Sequence, residues 1–131
     1  MYNDVVERLG MFGYEIQEGD EQKINYSSNV VAEHIKNFCN LNSESLPTKL
    51  KYYAIDKICG DFLNTKFLTG SLEFNDIDFS SPLVKSISEG DTSVSYETGQ
   101  NDSPSQKIKS FIDGLNLEDK NILYRFRKFE W

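Results

Sequence analysis

The sequence is poor in the residues from which catalytic and metal sites are usually built. It has one histidine and two cysteines in 131 residues. Cys39 and Cys59 fall inside helical patterns, without the close pairing or histidine partners of a zinc site. They read as two buried thiols, each behaving as a small hydrophobe. His34 has Glu33 and Ile35 beside it on an amphipathic stretch. It reads as a boundary histidine on a helix flank, not as a general base or pH switch. The eight glycines are isolated, at 10, 13, 19, 60, 70, 90, 99 and 114, so no phosphate-cradling loop is present. No catalytic, cofactor-binding or metal-binding residues are assigned, and the chain is not read as an enzyme. No apolar run approaches the roughly 20 residues that span a bilayer. The opening MYNDVVERLG starts acidic and lacks the apolar core of a secretory signal. The expected setting is a cytoplasm, with no membrane partner.

Basic charge is also scarce. Lys and Arg total 14 against 21 Asp and Glu, a formal net charge of −7, with an isoelectric point near 4.7. Gripping nucleic acid needs a basic surface, so this balance argues against it. The charge is uneven. Between residues 71 and 103 there are seven acids (Glu73, Asp76, Asp78, Glu89, Asp91, Glu97, Asp102) and one base, Lys85, a net of −6. From residue 104 onward, six bases face four acids, a net of +2. An acidic middle and a basic end can attract one another between subunits. Hydrophobic residues make up 38% and charged residues 27%, which is ordinary for a folded chain and not for a disordered one. The length fits one domain over 1–131 with a real core.

Periodicity supplies four helices. The first is expected over 4–12, capped by Asp4, carrying Val5, Val6 and Leu9, and ended by Gly10 or Gly13. The second is expected over 20–40, capped by Asp20. Ile24, Val31, Ile35 and Phe38 form its stripe, widened by Val30 and Cys39. The third, over 47–69, has Pro47 in its first turn and Gly70 as its stop. It is apolar on most faces, the mark of a central helix. Gly60 in its middle implies close approach of another helix, since Gly there otherwise costs about 1 kcal/mol against Ala. The fourth, over 103–115, opens on Ser103-Pro104-Ser105-Gln106, a capping box. It carries Ile108, Phe111, Ile112 and Leu115, and Gly114 is expected to weaken its end. Between the third and fourth helices, 84–97 reads as a β-hairpin, two short alternating runs around Glu89-Gly90-Asp91. A lone hairpin is marginal in water and needs a further strand.

That strand is sought in residues 121–131, NILYRFRKFEW, an apolar, aromatic and basic arm. Such a segment frays unless tied to a sheet or groove, in its own chain or a neighbour's. Its aromatics and bases (Tyr124, Arg125, Phe126, Arg127, Lys128, Phe129, Trp131) are the types enriched at protein interfaces. They can also stack on single-stranded nucleic acid, but the rest of the chain is acidic. The carboxylate pairs Asp76/Asp78 and Glu118/Asp119 lack the ligands at fixed offsets of a calcium loop and read as solvated acids. The fold class expected is mainly α, a small bundle of about four helices with a β-hairpin and a C-terminal strand-like arm.

Several segments together resemble a known family. They are Glu7-Arg8-Leu9 with Met11-Phe12-Gly13-Tyr14, Ile35-Lys36-Asn37-Phe38-Cys39-Asn40, KYYAIDKICGDFL, Ser86-Ile87-Ser88-Glu89-Gly90-Asp91-Thr92, and the aromatic-basic ending. In this order, over nearly the whole chain, they look like the small head–tail connector (adaptor) proteins of tailed phages and prophages of Gram-positive bacteria. The resemblance implies a structural subunit without catalysis or cofactor. It implies a homo-oligomeric ring in the virion neck, dodecameric under the family's rule, assembled in the bacterial host cytoplasm. The ring would sit between the portal protein and a tail or stopper protein and extend a channel through which DNA passes non-specifically. Acidic walls suit such a channel by repelling phosphate. Interface residues expected on this basis are Tyr124, Arg125, Phe126, Arg127, Lys128, Phe129 and Trp131, with Glu89 and Asp91 of the turn. Alternatives are a tail-completion or packaging accessory protein, or a small nucleic-acid-binding regulator using the basic-aromatic tail.

Overall fold

The computed structural model describes residues 2–39, 48–88 and 103–116. Among these, five α-helices and one 3-10 turn account for the regular structure: α1 (Tyr2–Met11), α2 (Asp20–Cys39), α3 (Thr48–Leu68), the turn Phe74–Asp76, α4 (Pro82–Ser88) and α5 (Pro104–Asn116). The architecture is a helical bundle. None of these helices is long and apolar enough to cross a membrane.

α3 is the central element, with α1, α2 and α5 packed around it. This follows from its composition. Leu50, Ala54, Ile55, Ile58, Cys59, Phe62 and Leu63 are all buried and point several ways around the helix, so each outer helix finds an apolar strip. Val5 and Leu9 of α1 reach α3 from one side. Ile108, Phe111, Ile112 and Leu115 of α5 complete the same core. A second, smaller cluster joins Ile35 and Cys39 of α2 to Leu50 and Ala54 near the start of α3. The rings pack edge to face: Phe12 meets Phe111 with centroids 4.9 Å apart and planes at 82°, and Tyr14 meets Phe62 at 5.8 Å.

The helix ends are chemically explicit. α1 closes with Gly13 at φ 90°, where Gly13 N donates to the Gly10 carbonyl and Tyr14 N to that of Leu9. α3 closes the same way, with Gly70 at φ 75° and Ser71 N bonded to the Lys66 carbonyl at 2.8 Å. Both are left-handed glycine caps that satisfy two orphan carbonyls. α5 opens with the expected reciprocal cap. Gln106 N donates to Ser103 Oγ and Ser103 N donates to Gln106 Oε1, each at 3.2 Å.

Three local readings are corrected. Asp4 does not cap α1: the helix already runs from Tyr2, and Asp4 sits in its first turn opposite Lys51, at 3.5 Å. Val30 does not widen the buried stripe of α2. It lies exposed, and Ile24, Ser27, Ile35 and Cys39 point inward instead. The expected first strand of the hairpin is helix α4. Leu83, Val84 and Ile87 are spaced one and three apart and lie against the core together, and Pro82 opens the helix where no N–H is needed. The alternation read over 84–88 rested on serines, which carry no apolar signal. Ser88 Oγ instead donates to the Val84 carbonyl one turn back, at 2.9 Å. Residues 89–97, the rest of that hairpin, lie outside the described residues, as do Pro47 and the arm 121–131.

Two glycines mark close approaches. A Cβ on Gly60 would lie 2.6 Å from Asn116 Oδ1, so the end of α5 sits against the middle of α3. A Cβ on Gly114 would collide with the Ile87 carbonyl of α4. Gly114 therefore lets α4 and α5 meet; it is not simply a weak point at a helix end.

Candidate functional site

The residues singled out from the sequence as an interface, Tyr124, Arg125, Phe126, Arg127, Lys128, Phe129, Trp131, Glu89 and Asp91, lie outside the described residues. The described part offers a buried polar cluster and two surface grooves.

The polar cluster joins the loop after α1, the first turn of α2 and the last turns of α3. Asp20 and Lys66 are 1% and 2% exposed. Lys66 Nζ donates to Asp20 Oδ1 at 3.0 Å, to Gln17 Oε1 at 3.0 Å and to Tyr14 Oη at 2.7 Å. Its three protons thus meet three acceptors. Tyr14 Oη donates to Asp20 Oδ2 at 2.5 Å, and Gln17 N donates to the same oxygen at 2.9 Å. Burial by itself would raise the Asp20 pKa. The hydrogen bonds from Tyr14, Gln17 N and Lys66, with the lysine's charge, outweigh it and hold the carboxyl below its ordinary range. Tyr14 goes far the other way: burial first, then bonding to Asp20 and its charge, keep the phenol protonated. Every polar atom named here is paired within the cluster, so no group is left facing a ligand. This is a clamp. It also corrects the reading of Asp20 as a plain helix cap: its carboxylate serves the loop and α3. Asp20 and Gln17 look solvated in the sequence, and the one signal of the cluster was Lys66 one helical turn from Phe62 and Leu63 on the central helix.

The remaining titratable candidates have structural roles. Cys39 and Cys59 are buried thiols, in the smaller and larger core respectively. Burial, aided by the charge of Asp56, pushes the Cys59 thiol up to about 12, so it stays protonated and unreactive. Asp76 Oδ2 accepts from Glu73 N, and Asp78 Oδ1 accepts from Ser80 N and Ser80 Oγ. Both carboxylates stabilise turns. The Ser80 bonds hold the Asp78 carboxyl below its ordinary range. Among the described residues no group of three or more potential ligands could hold a metal ion.

The first groove runs between α1 and α3. It has a volume of about 300 Å³ and is lined by Asp4, Glu7, Arg8, Met11, Tyr52, Ile55 and Asp56. Arg8 organises its floor: Nε donates to Asp56 Oδ1 at 2.8 Å, Nη2 to Oδ2 at 3.4 Å, and the guanidinium lies 5.1 Å from the Phe12 ring centroid. Two large apolar side chains stand open at its edges, Met11 (51% exposed) and Tyr52 (68%). The second groove, about 230 Å³, lies where α2, α3 and the end of α5 converge, and is lined by Val30, Val31, His34, Ile35, Lys57, Asp61 and Asn116. His34 is exposed at its rim. Lys57 Nζ donates to the Asn116 carbonyl at 2.5 Å and closes the last turn of α5. On the same outer side of the molecule as Val30, α2 also exposes Tyr26 (71%).

Exposed Tyr and Met side chains such as these are of the types enriched at protein interfaces. Compared with known protein families, with curated proteins and with solved structures, the chain matches none.

Proposed function

We propose that this chain is a structural subunit of a phage-type head–tail connector. Identical copies would form a ring between a portal and a tail or stopper protein and extend the DNA channel. The observation that carries the proposal is the ordered set of segments from Glu7 to the aromatic-basic residues 121–131, which resembles those adaptors over nearly the whole chain. The helical bundle is compatible with it. The net charge of −7 supports it as well, since a channel wall that repels phosphate lets duplex DNA slide. Exposed Met11, Tyr26 and Tyr52 are natural contact residues for neighbouring subunits.

In this role residues 121–131 dock on the portal or on a neighbouring subunit. Phe129 and Trp131 act as apolar anchors and Arg125 and Arg127 as charge partners. Deleting residues 122–131 is expected to leave the helical circular dichroism signal intact and to abolish incorporation into phage heads. A truncated chain that still assembles into heads would contradict the proposal. The acidic balance sets the expectation for the regulator alternative: no DNA binding at low salt, measured by fluorescence anisotropy.

A further inference from the structure

The groove between α1 and α3 has a shape and charge that the chain itself can complement. Its lining holds three carboxylates, Asp4, Glu7 and Asp56, against one base, Arg8, a net of −2. Asp56 is engaged by Arg8 and Asp4 by Lys51. Glu7 is exposed and makes no ion pair among the described residues, so it is the acid open to a partner. Between the charges lies apolar surface, Met11, Tyr52 and Ile55. Residues 122–131 (ILYRFRKFEW) carry three bases, Arg125, Arg127 and Lys128, against one acid, Glu130, a net of +2. They alternate these charges with Tyr124, Phe126, Phe129 and Trp131. The energetic centres of protein interfaces are enriched in Trp, Tyr and Arg. This segment supplies several, and the groove offers apolar floor with acid at the edge.

We propose that the α1–α3 groove is the docking site for residues 122–131 of a second copy of this chain. An aromatic ring of the segment lies between Met11 and Tyr52, and its arginines face Glu7. This rests on the proposed self-assembling role, which is what favours the neighbour's segment over the chain's own. Copies of net charge −7 repel one another. A ring of them needs a local contact between opposite charges, and the basic segment on the acid-edged groove provides it.

The test uses the full chain with a photo-cross-linking phenylalanine analogue at position 52, where the side chain is open to solvent. Equal amounts of ordinary and 15N-labelled protein are mixed, irradiated at high concentration and analysed by mass spectrometry. The expected result is a cross-link from position 52 into residues 122–131, with mixed-isotope pairs that mark contact between chains. Glu7→Arg, and separately Arg125→Glu with Arg127→Glu, should each lower its yield about fivefold, the scale of one lost charge contact of about 1 kcal/mol. Mixing these two variants should restore it. Cross-links confined to same-isotope pairs, cross-links elsewhere, or none to residues 122–131 would overturn the proposal. Portal binding by the same protein is measured in parallel. A chain that binds portal without this cross-link refutes the groove alone. A chain that cross-links but ignores portal refutes the connector role alone.

Discussion

At the scale of single residues, the Tyr14–Gln17–Asp20–Lys66 clamp dominates. Two opposite charges with almost no solvent contact hold only because each is bonded on every side. Removing one partner leaves the other buried and uncompensated. Asp20→Asn is therefore expected to lower stability by about 3–5 kcal/mol, a large share of the 5–15 kcal/mol that is typical of a domain, as read by urea unfolding. The clamp also sets an acid dependence. Because Asp20 has a lower pKa folded than unfolded, its contribution is complete above the unfolded value of about 3.9. It is lost as pH falls through the lower folded value. Unfolding midpoints should therefore fall below about pH 4 in the parent chain, and fall less steeply in Asp20→Asn. The thiols give a second check. With both cysteines buried and the Cys59 thiol held protonated, the native protein should react with a thiol reagent only at its unfolding rate, and both thiols should react promptly in denaturant.

At the scale of elements, the two crowded glycines separate close approach from helix propensity. In an open helix Gly→Ala stabilises by up to about 1 kcal/mol. Gly10 in α1 has no atom near a prospective Cβ, so Gly10→Ala should stabilise. Gly114→Ala should instead destabilise by about 1–3 kcal/mol, because the added carbon meets the Ile87 carbonyl, which is backbone and moves only with α4. Opposite shifts in thermal midpoint for the two variants would confirm this. Equal shifts would place α4 elsewhere.

The elements also show where sequence reading reaches. The stripe of α5 and its Ser103–Gln106 cap were legible because spacing and cap chemistry are local. The central place of α3 was legible because a helix apolar on most faces must be surrounded. α4 was misread because in a short segment the serines at 86 and 88 imitate alternation, while the decisive contact, Val84 on the core, is made with residues far along the chain. The clamp was missed for the same reason. Tyr14 and Lys66 are 52 positions apart, and no local pattern announces such a bond. The α1–α3 groove likewise exists only once Met11 of α1 and Tyr52 of α3 line the same cleft.

At the scale of the whole molecule, the acidic bundle presents its open apolar side chains on outer helix faces. The described residues bring together grooves lined by both charge and apolar surface, not a nucleophile and base. In the proposed connector role the chain acts by being held in place, so assembly should fail when contact residues are lost even where the fold survives.

The most direct measurement mixes the full chain with the portal protein encoded nearest to it and images the mixture by negative-stain electron microscopy. The connector role predicts a ring of this protein stacked on one face of the portal, at a fixed number of copies per portal ring. An intact portal that remains bare, beside a chain whose circular dichroism shows it folded, would contradict that role.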